Sequence, residues 1–311
     1  MTNNLIKKLS YRDFEKRYGE KMSSYVKDRI EKYDFRYRDA TKDERDGFIR
    51  RNIDVLLDQN IVTAGEHRRE DWEGGWGENY TEYSKNNSIE SIKPKYFGKY
   101  PCVRWNQDYI IPMTEDFEKN SLAFIQDLLF DKYLRNTKSI YEFGCGTGHN
   151  LLRIREINKL ATLWGLDWAK SSQKIINQMR DSGLDNNIYS ANFDFFKPDN
   201  QFSIDDNAAC ITIAALEQVG TNFRPFIDYL LKKKPDICVH IEPIFELLDC
   251  NNLLDYTSIK YFQKRQYLWG LLNYLHDLEN KGRINILEAR RSYIGSLFID
   301  GYSIIAWKPI R

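Results

Sequence analysis

The chain has 311 residues, 42% of them hydrophobic and 14% aromatic, enough apolar material for a full core, which excludes a disordered or fibrous protein. Lysine and arginine number 46 against 45 acidic residues, and the resulting charge of +1 gives no global attraction to nucleic acid or anionic membrane. No stretch approaches the roughly 20 apolar residues of a membrane helix, and Met1-Thr2-Asn3-Asn4 lacks the charged-then-apolar order of a signal peptide, so a cytoplasmic location is expected.

Residues 1 to about 60 are dense in charge and tyrosine. Apolar steps at Tyr25, Ile30 and Tyr33, then Phe48, Ile53, Val55, Leu56 and Leu57, predict exposed helices. From 61 to about 112, glycine and proline (Gly65, Gly74, Gly75, Gly77, Pro94, Gly98, Pro101, Pro112) punctuate a run rich in Trp and Tyr. This reads as a loop-rich segment, too aromatic for a solvated linker. A helix is predicted through Phe124, Ile125, Leu128, Leu129 and Tyr133. Strands follow at Ser139–Phe143, Ala161–Leu166, Ala209–Leu216, Ile237–Ile241 and Tyr302–Trp307, with weaker ones at Ile188–Ala191 and Ile284–Arg290. Ile284–Arg290 and Tyr302–Trp307 lack a helix between them, which predicts a C-terminal hairpin and one antiparallel strand in an otherwise parallel seven-stranded sheet. The expected organisation is an N-terminal helical, aromatic-rich cap over residues 1–115 and an α/β domain over 116–311.

The most informative segment runs Ile140-Tyr141-Glu142-Phe143-Gly144-Cys145-Gly146-Thr147-Gly148-His149-Asn150. A β-run ends in alternate glycines and opens directly into a helix, which lets backbone approach a ligand without side-chain obstruction. A second acid, Asp167, ends the next strand about 20 residues on, where a carboxylate accepts from both ribose hydroxyls. The ligand reads as a nucleoside. The dinucleotide fingerprint requires glycine where this sequence has His149, and Glu142 sets a negative charge against the position of a pyrophosphate. That charge suits a ligand with an ammonium group, such as S-adenosylmethionine.

Glu142-x-Gly144-x-Gly146-x-Gly148, Asp167 and the Asp194 of Asn192-Phe193-Asp194-Phe195 resemble the cofactor signature of class I S-adenosylmethionine-dependent methyltransferases, over about residues 120 to 311. The resemblance implies a Rossmann-like, doubly wound fold. It places Glu142 at the methionyl amino end, Gly144, Gly146 and Gly148 beneath the cofactor, and Asp167 on the ribose. Trp168 then stacks on the adenine, Asp194 accepts from its amino group, and the Phe195 backbone meets the ring edge.

Methyl transfer from a sulfonium is an in-line displacement, so alignment supplies most of the acceleration. For a hydroxyl acceptor a base adds roughly 10²–10⁴-fold. Strand ends are the places to seek it. His240 is the first candidate, with Glu242 on the same strand face as its orienting partner or as the base itself, and Glu217 third. The other reading of His240 is a satisfied sheet histidine. His67 reads as an exposed loop residue and His149 as positional. Five scattered cysteines fit reduced thiols, and no grouping has zinc spacing, so no metal is expected.

Trp72, Trp76 and Trp105, with Tyr261 and Arg265 on a helical insertion, combine aromatic faces with directional polar groups, which suits a polyhydroxylated ring; an aromatic cap core is the alternative. The Trp-Gly-rich segment, His240-x-Glu242-Pro243 and Arg265-x-Tyr267-Leu268-x-Gly270 are similar to bacterial methyltransferases of surface-polysaccharide biosynthesis. That likeness implies O-methylation of a sugar or sugar nucleotide, with no nucleic-acid or membrane partner. An RNA methyltransferase would show a basic groove. A protein or metabolite N-methyltransferase would share the cofactor half, and a non-catalytic cofactor-binding module is the alternative of a different class.

Overall fold

The computed structural model describes residues 5–310; residues 1–4, on which the signal-peptide reading falls, lie outside the described residues. The chain opens with β1 (Lys7–Lys8), α1 (Tyr11–Tyr18), α2 (Ser24–Lys32), β2 (Arg36–Asp39), α3 (Lys42–Leu57), α4 (Arg69–Asn86), β3 (Val103–Trp105) and β4 (Asp108–Pro112). Helix α5 (Phe117–Leu129) leads into β5 (Ser139–Phe143), α6 (His149–Ile157), β6 (Thr162–Asp167), α7 (Lys170–Asp181), β7 (Ile188–Asn192) and β8 (Ala208–Ile213). The remainder is α8 (Arg224–Lys233), β9 (Ile237–Glu242), α9 (Leu253–Arg265), α10 (Leu271–Asn280), β10 (Ile284–Arg290), β11 (Ile294–Gly295) and β12 (Ser303–Pro309).

All seven strands read from the sequence are present. The largest difference is β8, which stops at Ile213 because Ala214 turns to φ +49. They form one sheet in the order β10-β12-β9-β8-β5-β6-β7. It is parallel except for β12, which runs antiparallel to both neighbours, as the hairpin required. Every residue of β5, β8 and β9 is buried. Their runs are mainly apolar because helices cover both faces. Ile140, Ala209 and Val239 pack with the apolar stripes of α5, α6 and α7, whereas Tyr141, Phe143, Cys210 and Trp307 pack with α8 and α10. This is a Rossmann-like, doubly wound α/β sheet.

The N-terminal region differs from a purely helical lead-in. It carries a second sheet, β1-β2-β4-β3-β11, whose last strand comes from the excursion between β10 and β12. That excursion is pinned by a buried ion cluster in which Arg291 donates to Asp255 at 2.5 Å and to Asp300 at 2.6 Å. Beside it the buried Arg104 guanidinium donates to the carbonyls of Leu254, Leu297 and Phe298. The segment predicted as loop between 69 and 86 is instead α4. Its glycines each cost roughly 0.5–1 kcal/mol relative to alanine, so the helix is held by its packing on α7 rather than by propensity. Among the described residues no helix is long and apolar enough to cross a membrane.

Candidate active site

The winding of the main sheet reverses between β5 and β8, and an α/β sheet opens its ligand crevice at that point, beyond the carboxyl ends of the strands. The turn after β5 fills the floor of this crevice. Gly144, Gly146 and Gly148 hold φ of +71, +52 and +74. A Cβ on Gly144 would stand 2.5 Å from the Ala215 methyl, and one on Gly146 would stand 2.9 Å from the Trp76 ring. Both are glycine for conformation and for space.

Two acids flank this turn. Glu142 is fully buried and takes a hydrogen bond from Asn150 Nδ2 at 2.6 Å. Its second oxygen, Oε2, has no partner. Burial pushes this carboxyl up to about 8 against the pull of Asn150. Asp167 accepts from the Gly146 N–H and the Ala169 N–H, each at 2.9 Å. Burial raises it to about 6 although both backbone donors favour the charged form.

Trp168, Phe193, Phe195 and Phe196 form the far wall with Trp72 and Trp76 of α4, enclosing a cavity of about 70 Å³. Trp168 stacks on Phe196 at 6.0 Å, and Trp72 on Trp76 at 5.8 Å. Asp194 accepts from the Phe196 N–H at 2.9 Å and from the Arg69 guanidinium at 2.7 Å.

On the other side of Trp72 and Trp76 lies a larger cavity of about 330 Å³, within the usual range of roughly 300–1,000 Å³ for ligand pockets. Its wall includes Glu118, Glu217, Gln218, Arg265, Tyr96, Tyr100, Tyr261, Tyr267 and Tyr302. Glu217 accepts from Gln218 Nε2 at 2.8 Å, and burial raises it to about 6, with Gln218 and Arg265 opposing. Glu118 accepts from the Tyr302 hydroxyl at 3.1 Å and is raised by burial to about 7. The Arg265 guanidinium lies 4.8 Å from the Tyr267 ring centre, and its Nε has no partner. His149 also lines this cavity, and burial lowers it to about 4, so it is neutral at neutral pH.

His240 does not reach either cavity, which corrects its assignment as the base. It is fully buried inside the sheet, where the Trp307 indole N–H donates to Nε2 at 3.0 Å. Nε2 therefore carries no proton, so Nδ1–H donates to Thr212 Oγ1, 2.9 Å away. Desolvation lowers the imidazole to about 3. Glu242 is itself fully buried and accepts from the backbone N–H groups of Ala215 at 3.0 Å and Leu216 at 3.1 Å. Burial raises it to about 8. Glu242 fixes the turn carrying Glu217, while His240 is held between Thr212 and Trp307; neither lines these cavities. Trp105 is likewise placed elsewhere, edge-on to Phe14 at 5.5 Å against the core that the N-terminal residues share with α5.

Gly144, Asp167, Trp168 and Phe195 line the smaller cavity and Gly146, Glu217, Tyr261 and Arg265 the larger, with Trp72, Trp76 and Gly144 bordering both, whereas Glu142, Gly148 and Asp194 line neither. Sequence reasoning missed Glu118, Tyr302 and Arg69. Glu118 and Arg69 sit in the first turns of helices, where a charge is unremarkable, and Tyr302 was read only as the start of a strand.

No protein-family model matches the sequence, and no curated protein does. Solved structures do resemble it in fold. One is an O-methyltransferase of neocarzinostatin biosynthesis in complex with S-adenosylmethionine and 2-hydroxy-5-methyl naphthoic acid, 13% identical, with a TM-score of 0.43. The match covers 62% of this chain and only 58% of that one. Another is geranyl diphosphate C-methyltransferase from Streptomyces coelicolor A3(2), 12% identical over 76% of this chain and 98% of that one, TM-score 0.45. A third is the cyclase SpnF, 14% identical over 80% of this chain and 97% of that one, TM-score 0.49. Likeness at this level assigns no reaction to the chain.

Proposed function

We propose that this chain is an S-adenosylmethionine-dependent methyltransferase acting on a small polyhydroxylated acceptor, a sugar or sugar nucleotide, with residues 1–115 serving as an acceptor-selecting cap on the 116–311 domain. One observation carries the cofactor half: Gly144, Asp167, Trp168 and Phe195, which follow the ends of β5, β6 and β7, line one crevice, with Glu142 buried in β5 just before the glycine turn and Asp194 adjoining Phe195 in the chain. The residues fit the cofactor chemically. Glu142 Oε2 is buried with no partner in the chain, which leaves a polar atom for a donor group of the ligand. Glu142 would hold the ammonium end, Asp167 the ribose hydroxyls, and Trp168, Asp194 and Phe195 the adenine. Bound there, the cofactor supplies a sulfonium methyl group for in-line displacement by an acceptor oxygen.

The chain's own contribution is alignment and proton removal. Tyr261, Tyr267 and Tyr302 offer ring faces and hydroxyls, and Arg265 offers a donor fork, which together orient a hydroxylated ring. Glu217 follows the end of β8, faces the same cavity and takes the hydroxyl proton as the bond to carbon forms. The second carboxyl, Glu118, together with the tyrosine faces, favours a further reading in which the acceptor nucleophile is an amine.

Methyl-labelled cofactor incubated with a panel of nucleotide sugars tests the proposal. Label transfer to a sugar that fails in Glu217→Gln supports it. Transfer confined to amines moves the acceptor class, and cofactor binding without transfer to any acceptor favours a non-catalytic module.

A further inference from the structure

The first residue of α4 makes two contacts that the cofactor reading reserves for adenine. Arg69 donates to Asp194 Oδ2 at 2.7 Å, and its guanidinium carbon lies 4.4 Å from the Trp168 ring centre. A guanidinium is planar, stacks on aromatic faces and donates to carboxylates, as the amino-substituted edge and flat face of adenine do. The other Asp194 oxygen is already taken by the Phe196 N–H.

Two more ties hold the helix down on the same crevice. Glu73, one turn further on, accepts from the Ser171 hydroxyl at 2.6 Å and its N–H at 3.2 Å. Trp76 lies on Gly146 so closely that a Cβ there would stand 2.9 Å from its ring. The space left between α4, Asp167 and Trp168 is about 70 Å³, well under the roughly 300 Å³ of the smallest ordinary ligand pockets. Arg69 also has a second carboxylate, Glu66, 3.5 Å away, with which it keeps a charge partner when it leaves Asp194.

We propose that Arg69 is an internal competitor for the adenine position: the nucleoside enters when the Arg69–Asp194 pair opens and the start of α4 lifts, so Arg69 sets the affinity of the crevice. This rests on the cofactor reading above. Arg69 is 42% exposed, so its ion pair is partly screened; with the stacking on Trp168, its removal is worth roughly three- to tenfold in affinity.

The test titrates S-adenosylhomocysteine into the full chain and its Arg69→Ala variant, followed by calorimetry and by tryptophan fluorescence, at low and at high salt. The expected result is roughly three- to tenfold tighter binding by Arg69→Ala. Wild-type affinity should also rise with salt as the internal pair is screened, while the variant shows little of that dependence. Weaker binding by Arg69→Ala would make Arg69 a ligand of the nucleoside and overturn the proposal, as would equal affinities with the same salt response. A Trp76→Ala, Arg69→Ala double variant separates the two levels. If wild type and both variants remain folded by near-ultraviolet circular dichroism and none binds, the cofactor reading itself fails, and the competitor role with it.

Discussion

Gly144 offers the sharpest test of how the crevice floor is built. Alanine at this position must keep φ near +71, a left-handed conformation that costs a residue with a Cβ about 1–2 kcal/mol. Its Cβ would also stand 2.5 Å from the Ala215 methyl and 3.2 Å from Phe195 Cε2. Ala215 cannot easily retreat, because its N–H is fixed to Glu242 at 3.0 Å. Overpacking of this kind costs about 1–3 kcal/mol. The expected loss is therefore about 2–5 kcal/mol, a large part of the roughly 5–15 kcal/mol stability of an ordinary domain. Urea unfolding of wild type, Gly144→Ala, Ala215→Gly and the double variant measures it. The double variant removes the clash and keeps the backbone penalty, so the cycle should show a coupling of about 1–3 kcal/mol in favour of the pair. A Gly144→Ala protein within about 0.5 kcal/mol of wild type, or additive effects in the cycle, would refute the packing described for this turn.

Glu217→Gln should reduce turnover by roughly 10²–10⁴-fold while leaving S-adenosylhomocysteine affinity unchanged. With Glu217 as the proposed base, its charged form is the active one, so kcat/KM should fall as pH drops through about 6. His240→Ala should leave that limb in place and act on stability, because the Trp307 indole N–H loses its acceptor, at a cost of about 1–3 kcal/mol read by urea unfolding. The sign of its pH effect follows from a folded value of about 3 against an ordinary 6.5. Below pH 6.5 the unfolded chain takes up a proton that the folded chain refuses, so wild-type stability should decline by up to about 1.4 kcal/mol per pH unit toward pH 3, and His240→Ala should lose that slope. Arg291→Met leaves Asp255 and Asp300 buried without their cation and should cost about 3–5 kcal/mol in the same assay.

The main sheet was legible in the sequence because its central strands are short, mainly apolar runs bounded by turn residues, as burial on both faces favours. The glycine turn at the crevice floor was legible for a related reason: positive φ and close approach admit only glycine at Gly144 and Gly146, so backbone geometry is written directly into residue type. Helix α4 was hidden, since Gly74, Gly75 and Gly77 imitate a loop and its contacts with α7 are invisible to propensity. Strand β11 has two residues, too few for a period, and its partner β3 lies far earlier in the chain. Strand alternation correctly put His240 and Glu242 on one face, but it cannot tell whether that face opens to a crevice or, as here, lies under Phe226 and beside Trp307. Glu118 and Tyr302 meet across a separation of 184 residues, which no local pattern encodes.

The most direct test of the central claim is calorimetric titration of the purified chain with S-adenosylmethionine and S-adenosylhomocysteine, repeated on Asp167→Ala after circular dichroism has shown that the variant is folded. Micromolar binding of both ligands that disappears in Asp167→Ala is the expected result. Absence of binding to the wild type, or equal affinity in the variant, would contradict a nucleoside site at the end of β6.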